Sequence, residues 1–274
     1  MTRQTISQQE KETYAEEGFL ILRQAFSMSR IESLLEGIER MIDKGLAGEC
    51  ELGWIDRERR LPSRTEHMLH PEKYHPAFGD WIDEDLAPQL EALVRGPGVR
   101  HSLFGMLAAG GGQAYTQKWH RDLGRPGDPD ETAYLTRHEG RFVQFNAPLV
   151  AGDRFLHIVP GSHLRASTDA EIEASRGESG EMPGALVVDL EPGDIVHYNA
   201  NLWHRGWNPE GRKRWTLHCA FWRAGATVMK HEHGQREALT RPGHLERMPP
   251  VTRRYIQRYL DDHPEGDPPS LFDL

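Results

Sequence analysis

The chain has 274 residues, 37% apolar and 27% charged, which is enough for a full core and excludes a disordered or fibrous class. Its net charge of −9, from 42 acidic and 33 basic residues, argues against broad nucleic-acid binding, which needs a basic surface. Two cysteines, Cys50 and Cys219, exclude a disulfide framework, and no run approaches the roughly 18 apolar residues of a membrane span.

The polar start, Met1-Thr2-Arg3-Gln4, has no signal-peptide pattern, so a reducing cytoplasm is expected. Residues 7–17 are polar and helix-compatible, with Gly18 as the stop. Phe19-Leu20-Ile21-Leu22 reads as a short buried strand. Ser27 is an N-cap for a helix over 28–44, whose apolar face is Ile31, Leu34, Leu35, Ile38, Met41 and Ile42. Residues 46–80 read as irregular; within them Arg57, Arg59 and Arg60 read as a solvated loop. A further helix is expected over 82–94.

From Val99 the pattern changes to short β-prone runs at 99–109, 114–122, 140–150, 154–159, 184–190, 194–199, 202–207 and 214–223. Gly152-Asp153, Pro160-Gly161 and Pro192-Gly193-Asp194 punctuate them as turns. Such spacing predicts a barrel or sandwich. Residues 123–138 and 164–183 read as insertions, the second with a short helix near 169–176, and a last helix is expected over about 250–262. The whole is read as one domain: a helical part over about 1–95, a β core over about 99–223 and a helical tail over about 224–274.

Trp119-His120-Arg121-Asp122 is the stretch that carries chemistry. On a strand, residues i and i+2 share a face, so His120 and Asp122 can reach one ion. A second histidine from a distant strand would complete a two-histidine, one-carboxylate set, which leaves the remaining positions of an octahedral ion open. Candidates are His197, His204 and His218. An isolated strand histidine is more often a hydrogen-bonded structural residue; it is the constellation that points to a metal.

Five landmarks, in order, resemble the phytanoyl-CoA dioxygenase family of Fe(II)- and 2-oxoglutarate-dependent oxygenases. They are Tyr14-Ala15-Glu16-Glu17-Gly18-Phe19-Leu20-Ile21-Leu22, the segment Trp119–Asp122, Val159-Pro160-Gly161-Ser162-His163, Pro192-Gly193-Asp194 followed by His204, and Arg212-Lys213-Arg214-Trp215-Thr216-Leu217. The resemblance spans roughly residues 8–223. It implies a mainly β fold with flanking helices, the double-stranded β-helix or jelly-roll barrel.

The resemblance also implies roles. His120, Asp122 and His204 would ligate Fe(II), and Arg214 would bind the distal carboxylate of 2-oxoglutarate through its planar fork. Arg212 has the same strand parity and competes for that role; Gln144 is a second polar candidate for the co-substrate. Trp119, Arg121, Asn146, Trp203 and His218 are candidate substrate contacts, with core packing the alternative for the tryptophans. The turn at Ser162 and His163 is structural in this reading. The implied reaction couples O2 and decarboxylation of 2-oxoglutarate to attack on an unactivated C–H bond, with hydroxylation the usual outcome. Asp122 disfavours halogenation, which needs a small residue there. The substrate is a small molecule, and Arg121, Arg125, Arg137, Arg141 and Arg154 suggest an anionic one. A non-catalytic jelly-roll binding protein and a non-oxidative metalloenzyme are the alternatives; substrate identity and oligomeric state are not legible.

Overall fold

Ser7 opens the first helix by closing a capping box: its hydroxyl accepts from the Glu10 amide, and the Glu10 carboxylate accepts from the Ser7 amide. Helix α1 (Gln8–Glu17) ends at Gly18, whose φ of 78° favours glycine. The computed structural model describes residues 5–123, 125–177, 181–232 and 234–270. Gly124, residues 178–180 of the second predicted insertion, and both ends of the predicted domain lie outside the described residues.

Strand β1 (Phe19–Leu22) and helix α2 (Met28–Ala47) follow as expected. Ser27 caps α2, the predicted apolar face is buried or packed against the core, and the helix runs to a left-handed Gly48. Within 46–80, β2 (Trp54–Asp56) and β3 (Leu61–Pro62) form a short antiparallel pair. The helix expected over 82–94 begins earlier and is broken into α3 (Pro76–Trp81), a π turn (Ile82–Leu86) and α4 (Ala87–Leu93). Pro76 starts it, and Pro88, which has no amide to donate, stands just after the π turn.

The remaining strands are β4 (Val99–Ala109), β5 (Tyr115–Thr116), β6 (Phe142–Pro148), β7 (Asp153–Ile158), β8 (Leu186–Leu190), β9 (Ile195–Tyr198), β10 (His204–Asn208) and β11 (Arg214–Arg223). They form two antiparallel sheets, in the orders β1-β9-β6-β11-β4 and β5-β10-β7-β8. The strand expected over 114–122 is mostly absent: β5 stops at Thr116, and His120 returns as a single bridge to His204. Gln117 still pairs, its amide donating to the Gly206 carbonyl, but one extra residue then separates it from the His120–His204 bridge, a bulge that ends the regular ladder. The insertion 123–138, for which no helix was named, contains α5 (Glu131–His138); Glu131, Tyr134, Leu135 and His138 are its buried face, hidden in sequence behind the preceding Pro and Asp residues. Helices α6 (Asp169–Arg176), α7 (Gln235–Leu239) and α8 (Pro250–Asp261) complete the chain.

The main core lies between the helices and the five-stranded sheet. Trp81, fully buried, meets the rings of Phe26, Phe104 and Phe145 at 5.3, 6.1 and 5.8 Å. A second cluster, including Ile158, Leu190, Val196 and Leu202, joins the two sheets. Residues 63–68 form a strap on the free edge of β4: Thr65 and Met106 exchange amide–carbonyl bonds, and the Met68 amide donates to Phe104. Gly105 makes this possible, because a Cβ there would sit 2.6 Å from the Thr65 carbonyl oxygen. Among the described residues, no helix is long and apolar enough to cross a membrane.

Several histidines are buried in this framework. Burial holds His101 down to about 4 and His197 to about 3; their Nε2 atoms meet Gln235 at 3.0 Å and Gln89 at 2.7 Å. Above the ordinary histidine value near 6.5, folded and unfolded chains are both neutral at these sites. Below it the unfolded chain takes up protons that the folded one refuses, so stability falls as pH falls from 6.5 towards 3–4. Urea unfolding between pH 7 and pH 4.5 should show this loss, and His197→Gln should flatten the slope by up to about 1.4 kcal/mol per pH unit. An unchanged slope would mean that His197 does not titrate on unfolding.

Candidate metal centre and its cavity

The two sheets enclose a cavity of about 100 Å³. Its walls include Leu107 of β4, Gln144 and Asn146 of β6, and Arg214 and His218 of β11 from one sheet, with Tyr115, Leu156 and His204 from the other. At one end the ligand atoms of His120, Asp122 and His204 lie within 4.8 Å of one another. Both histidine Nε2 atoms are 3.6 Å from the same carboxylate oxygen, Asp122 Oδ1. The imidazole rings are 4.3 Å apart.

The backbone sets which nitrogen faces inward. His120 Nδ1 lies 2.8 Å from the Lys118 carbonyl, and His204 Nδ1 lies 2.9 Å from the Leu202 carbonyl. A carbonyl only accepts, so both Nδ1 atoms carry the proton and both Nε2 lone pairs are free for a cation. Burial, then the neighbouring His120, holds His204 down to about 4, against the pull of Asp122; it is neutral, as a ligand must be, at ordinary pH. Asp122 divides its oxygens: Oδ1 faces the histidines, while Oδ2 accepts a short bond from Gln144 Nε2. Gln144 Oε1 in turn accepts from the Tyr198 hydroxyl at 3.2 Å, and burial beside Asp122 keeps that phenol protonated.

Arg214 is 2% exposed and lines the same cavity. Its Nε points to Thr216 at 3.2 Å and to Asp153 at 3.4 Å, which leaves the terminal fork without a hydrogen bond among the described residues. Arg212 is largely exposed, with Nε 3.6 Å from Glu210. His197 belongs to the core, and His218 is a wall residue whose Nδ1 is 2.8 Å from Asn146 Oδ1. Burial, reinforced by Arg64 and Arg214, holds His218 down to about 3.

The structure places the other candidates as follows. Gln144 lines the cavity, and its Nε2 donates to Asp122 Oδ2. Trp119 and Trp203 do not reach the cavity wall; they pack with Val159 and Met182 in a separate small core, with Arg205 over the Trp119 ring at 4.6 Å. Arg121 is buried away from the cavity, donating to the Ser162 and Asn201 carbonyls at 2.6 Å and lying 3.4 Å from Glu131. Of the five arginines from which an anionic substrate was inferred, none lines the cavity, and Arg154 is an exposed partner of Asp189.

Residues that the sequence reading missed include Tyr115, Gln117, Tyr198 and Arg64. Tyr115 and Gln117 were findable: they sit inside the predicted strand 114–122, but with odd parity. Strict alternation would then put Trp119 on the cavity and His120 behind it. One extra residue between Gln117, paired with Gly206, and His120, paired with His204, resets the phase, so that even residues face the ion site. Arg64 comes from the segment read as irregular and had no such signal.

The donor set is that of a two-histidine, one-carboxylate metal centre. The chain belongs to the phytanoyl-CoA dioxygenase family, whose model matches residues 14–208. The cofactors of that family are Fe(II) and 2-oxoglutarate, with O2 as co-substrate. Arg214 lies past the matched stretch, so its placement rests on the geometry alone.

Solved structures with the same fold include AviO1 from Streptomyces viridochromogenes Tue57, at 22% identity over 81% of this chain and 96% of that one, TM-score 0.57. EctD from S. alaskensis, solved with 2-oxoglutarate and 5-hydroxyectoine, has 16% identity over 92% and 88%, TM-score 0.62. The non-heme alpha-ketoglutarate-dependent carbocyclase SnoK from nogalamycin biosynthesis has 16% identity over 89% and 92%, TM-score 0.58. No curated protein matches by sequence.

Gln144→Leu removes the donor that orients Asp122. The affinity for Mn(II), measured by calorimetric titration, is expected to fall about 10–100-fold, whereas His204→Ala abolishes binding. Wild-type affinity in Gln144→Leu would remove Gln144 from the centre.

Proposed function

We propose that this chain is a single-domain Fe(II)- and 2-oxoglutarate-dependent hydroxylase of a small molecule, built on a double-stranded β-helix and working in the cytoplasm. The observation that carries the reading is that one cavity is lined both by three converging donors, His120 Nε2, Asp122 Oδ1 and His204 Nε2, and by the buried Arg214, whose terminal fork has no hydrogen bond among the described residues. A dicarboxylate with a 2-oxo group suits both features at once. Its oxo-acid head would reach the ion, and its far carboxylate would meet a planar guanidinium.

The donors fit iron. Imidazole and carboxylate suit a borderline divalent cation, and three protein ligands on one face leave positions for co-substrate and O2. Bound there, Fe(II) supplies O2 activation, with the overall balance R–H + O2 + 2-oxoglutarate → R–OH + succinate + CO2. The chain's own residues do the positioning. The Lys118 and Leu202 carbonyls fix both imidazole tautomers, and Gln144 and Tyr198 hold the Asp122 carboxylate. Asp153 and Thr216 hold Arg214 by its Nε, so its fork is preorganised toward the cavity. Asp122 fills the carboxylate place, which supports hydroxylation over halogenation.

The test is succinate release from 2-oxoglutarate by protein loaded with Fe(II) under anaerobic conditions and then exposed to O2, across a panel of small molecules. Succinate above the no-substrate background supports the oxygenase and names a substrate class. Metal binding with no 2-oxoglutarate binding moves the protein to a non-oxidative or non-catalytic role. Arg214→Ala should raise the 2-oxoglutarate KM about 100-fold, the range for losing a charge-assisted bidentate pair, with Mn(II) affinity retained. Arg212→Ala should leave the KM within about twofold of wild type, as expected for an exposed pair.

A further inference from the structure

Arg121 stands between two of the three ion ligands, and its side chain is 0% exposed; that of Glu131, 3.4 Å away, is 1% exposed. Arg121 also reaches toward the third ligand. It donates to the Asn201 carbonyl, three residues before His204, and its guanidinium lies 5.1 Å from the centre of the Trp203 ring. A buried cation so placed needs a carboxylate, and Glu131 of α5 supplies it.

Glu131 accepts further bonds, and they come from both long insertions. Gly127 of the first donates its amide at 3.2 Å; Ser167 of the second donates its amide at 2.8 Å and its hydroxyl at 2.7 Å. Next to Ser167, Thr168 opens α6 with a capping box to Glu171, which is also the buried partner of Arg165. Arg121 closes the circuit with longer contacts, 3.4 Å each, to the Arg165 carbonyl and the Ser167 hydroxyl. One carboxylate therefore ties the ion-ligand stretch to both insertions. The first insertion begins directly after Asp122. The His120 and Asp122 side chains are 37% and 32% exposed, against 6% for His204, so the proximal ligands are the ones the sheets leave open.

We propose that Glu131 is a positioning residue that couples occupancy of the metal centre to the order of both insertions. It acts through Arg121. Holding that guanidinium holds the backbone around His120, Asp122 and Asn201, and the same carboxylate holds Gly127 and Ser167. The proposal rests on the metal-centre reading above. Such coupling is reciprocal: a cation at the three ligands tightens the insertions by the factor by which the tied insertions raise affinity for the cation.

The experiment measures amide hydrogen exchange of the full-length protein with and without Mn(II), and Mn(II) affinity by calorimetry. In the wild type, Mn(II) should slow exchange in residues 127–138 and 165–172 about tenfold, the lower end of the range for groups that support metal ligands from outside. Glu131→Gln keeps the shape and an accepting oxygen but loses the charge. It should weaken Mn(II) about tenfold and abolish the added protection in both segments. Glu171→Gln removes an equally buried charge from α6 and should leave Mn(II) affinity unchanged. Mn(II) that binds the wild type without slowing exchange in either segment would overturn the proposal, whatever the variants do. So would wild-type affinity in Glu131→Gln, or a loss there that Glu171→Gln matches, since either makes Glu131 a purely structural residue. Wild-type protein that takes up no Mn(II) would instead defeat the metal-centre reading, and this proposal with it.

Discussion

His120 and His204 exchange two backbone hydrogen bonds of 3.0 Å each, and the metal centre depends on this one bridge between residues far apart in the chain. Directly opposed residues of an antiparallel pair send their side chains to the same side of the ladder, so the bridge delivers both imidazoles together. Asp122 is set by the same local pairing, through its own amide on the Ala200 carbonyl. The rest is orientation: two carbonyls, each two residues before its histidine, select Nε2 as the inward atom at both sites. A ligand set built this way needs only a short irregular stretch, provided the backbone on both sides is held. The holding is done by buried charge. Arg121, between the two proximal ligands, bonds the carbonyls of Ser162 and Asn201, while the Ser162 hydroxyl accepts from the Trp203 amide. Removing Arg121 would leave the buried Glu131 carboxylate with only its Gly127 and Ser167 donors, so the cost would exceed that of the lost bonds.

Much of this was legible in the sequence because local rules and tertiary packing agree there. Ser7, Gly18 and Ser27 cap helices as their chemistry dictates, and β11 matches its predicted limits because it is a continuous β-prone run paired on both sides. The structure brings His120, Asp122 and His204 together and lines the same cavity with Arg214; the His-x-Asp spacing pointed to the first two, and the family resemblance to His204 and Arg214. What was not legible depends on partners. The phase reset comes from the extra residue between the Gln117–Gly206 and His120–His204 pairings, which no property of residues 114–122 alone encodes. Gln144 looked like a free cavity residue because parity says which face a side chain takes and nothing about what waits there. Helix α5 was hidden because its buried side includes Glu131 and His138, residues that a hydrophobicity pattern counts as surface.

The two sheets divide the work unequally. The five-stranded sheet has long central strands, is backed by helices, and carries Gln144, Asn146, Arg214 and His218, the polar wall of the cavity. The four-stranded sheet is shorter, and β5 has only two residues, yet it carries His204 and flanks His120 and Asp122. Placing the ion ligands on the less regular sheet has a physical consequence. Regular strands alternate strictly, so bringing His120 and Asp122 to the face that Tyr115 and Gln117 also take requires one extra residue between Gln117 and His120, and such departures are tolerated where pairing is sparse. The regular sheet then provides what irregular backbone cannot, a fixed bed for Arg214, whose fork is aimed because Asp153 and Thr216 hold its Nε from behind.

The strap of residues 63–68 adds a third kind of support, stiffer than a loop and weaker than a strand. Its attachment to β4 is a few backbone bonds on a sheet edge, the position that proteins otherwise cover or blunt because its amides and carbonyls lack partners. Covering that edge satisfies those groups, and in this chain the cover also brings a charged side chain to the cavity. Edge protection and cavity chemistry are therefore coupled through Gly105: a residue without a Cβ is required for the backbone approach, and the approach places Arg64. Segments attached so lightly open at lower free energy than the sheet beneath them. A site whose ion ligands and Arg214 are built into the sheets, while Arg64 arrives on such a segment, separates the part that must stay rigid for chemistry from the part that can yield when a ligand enters or leaves.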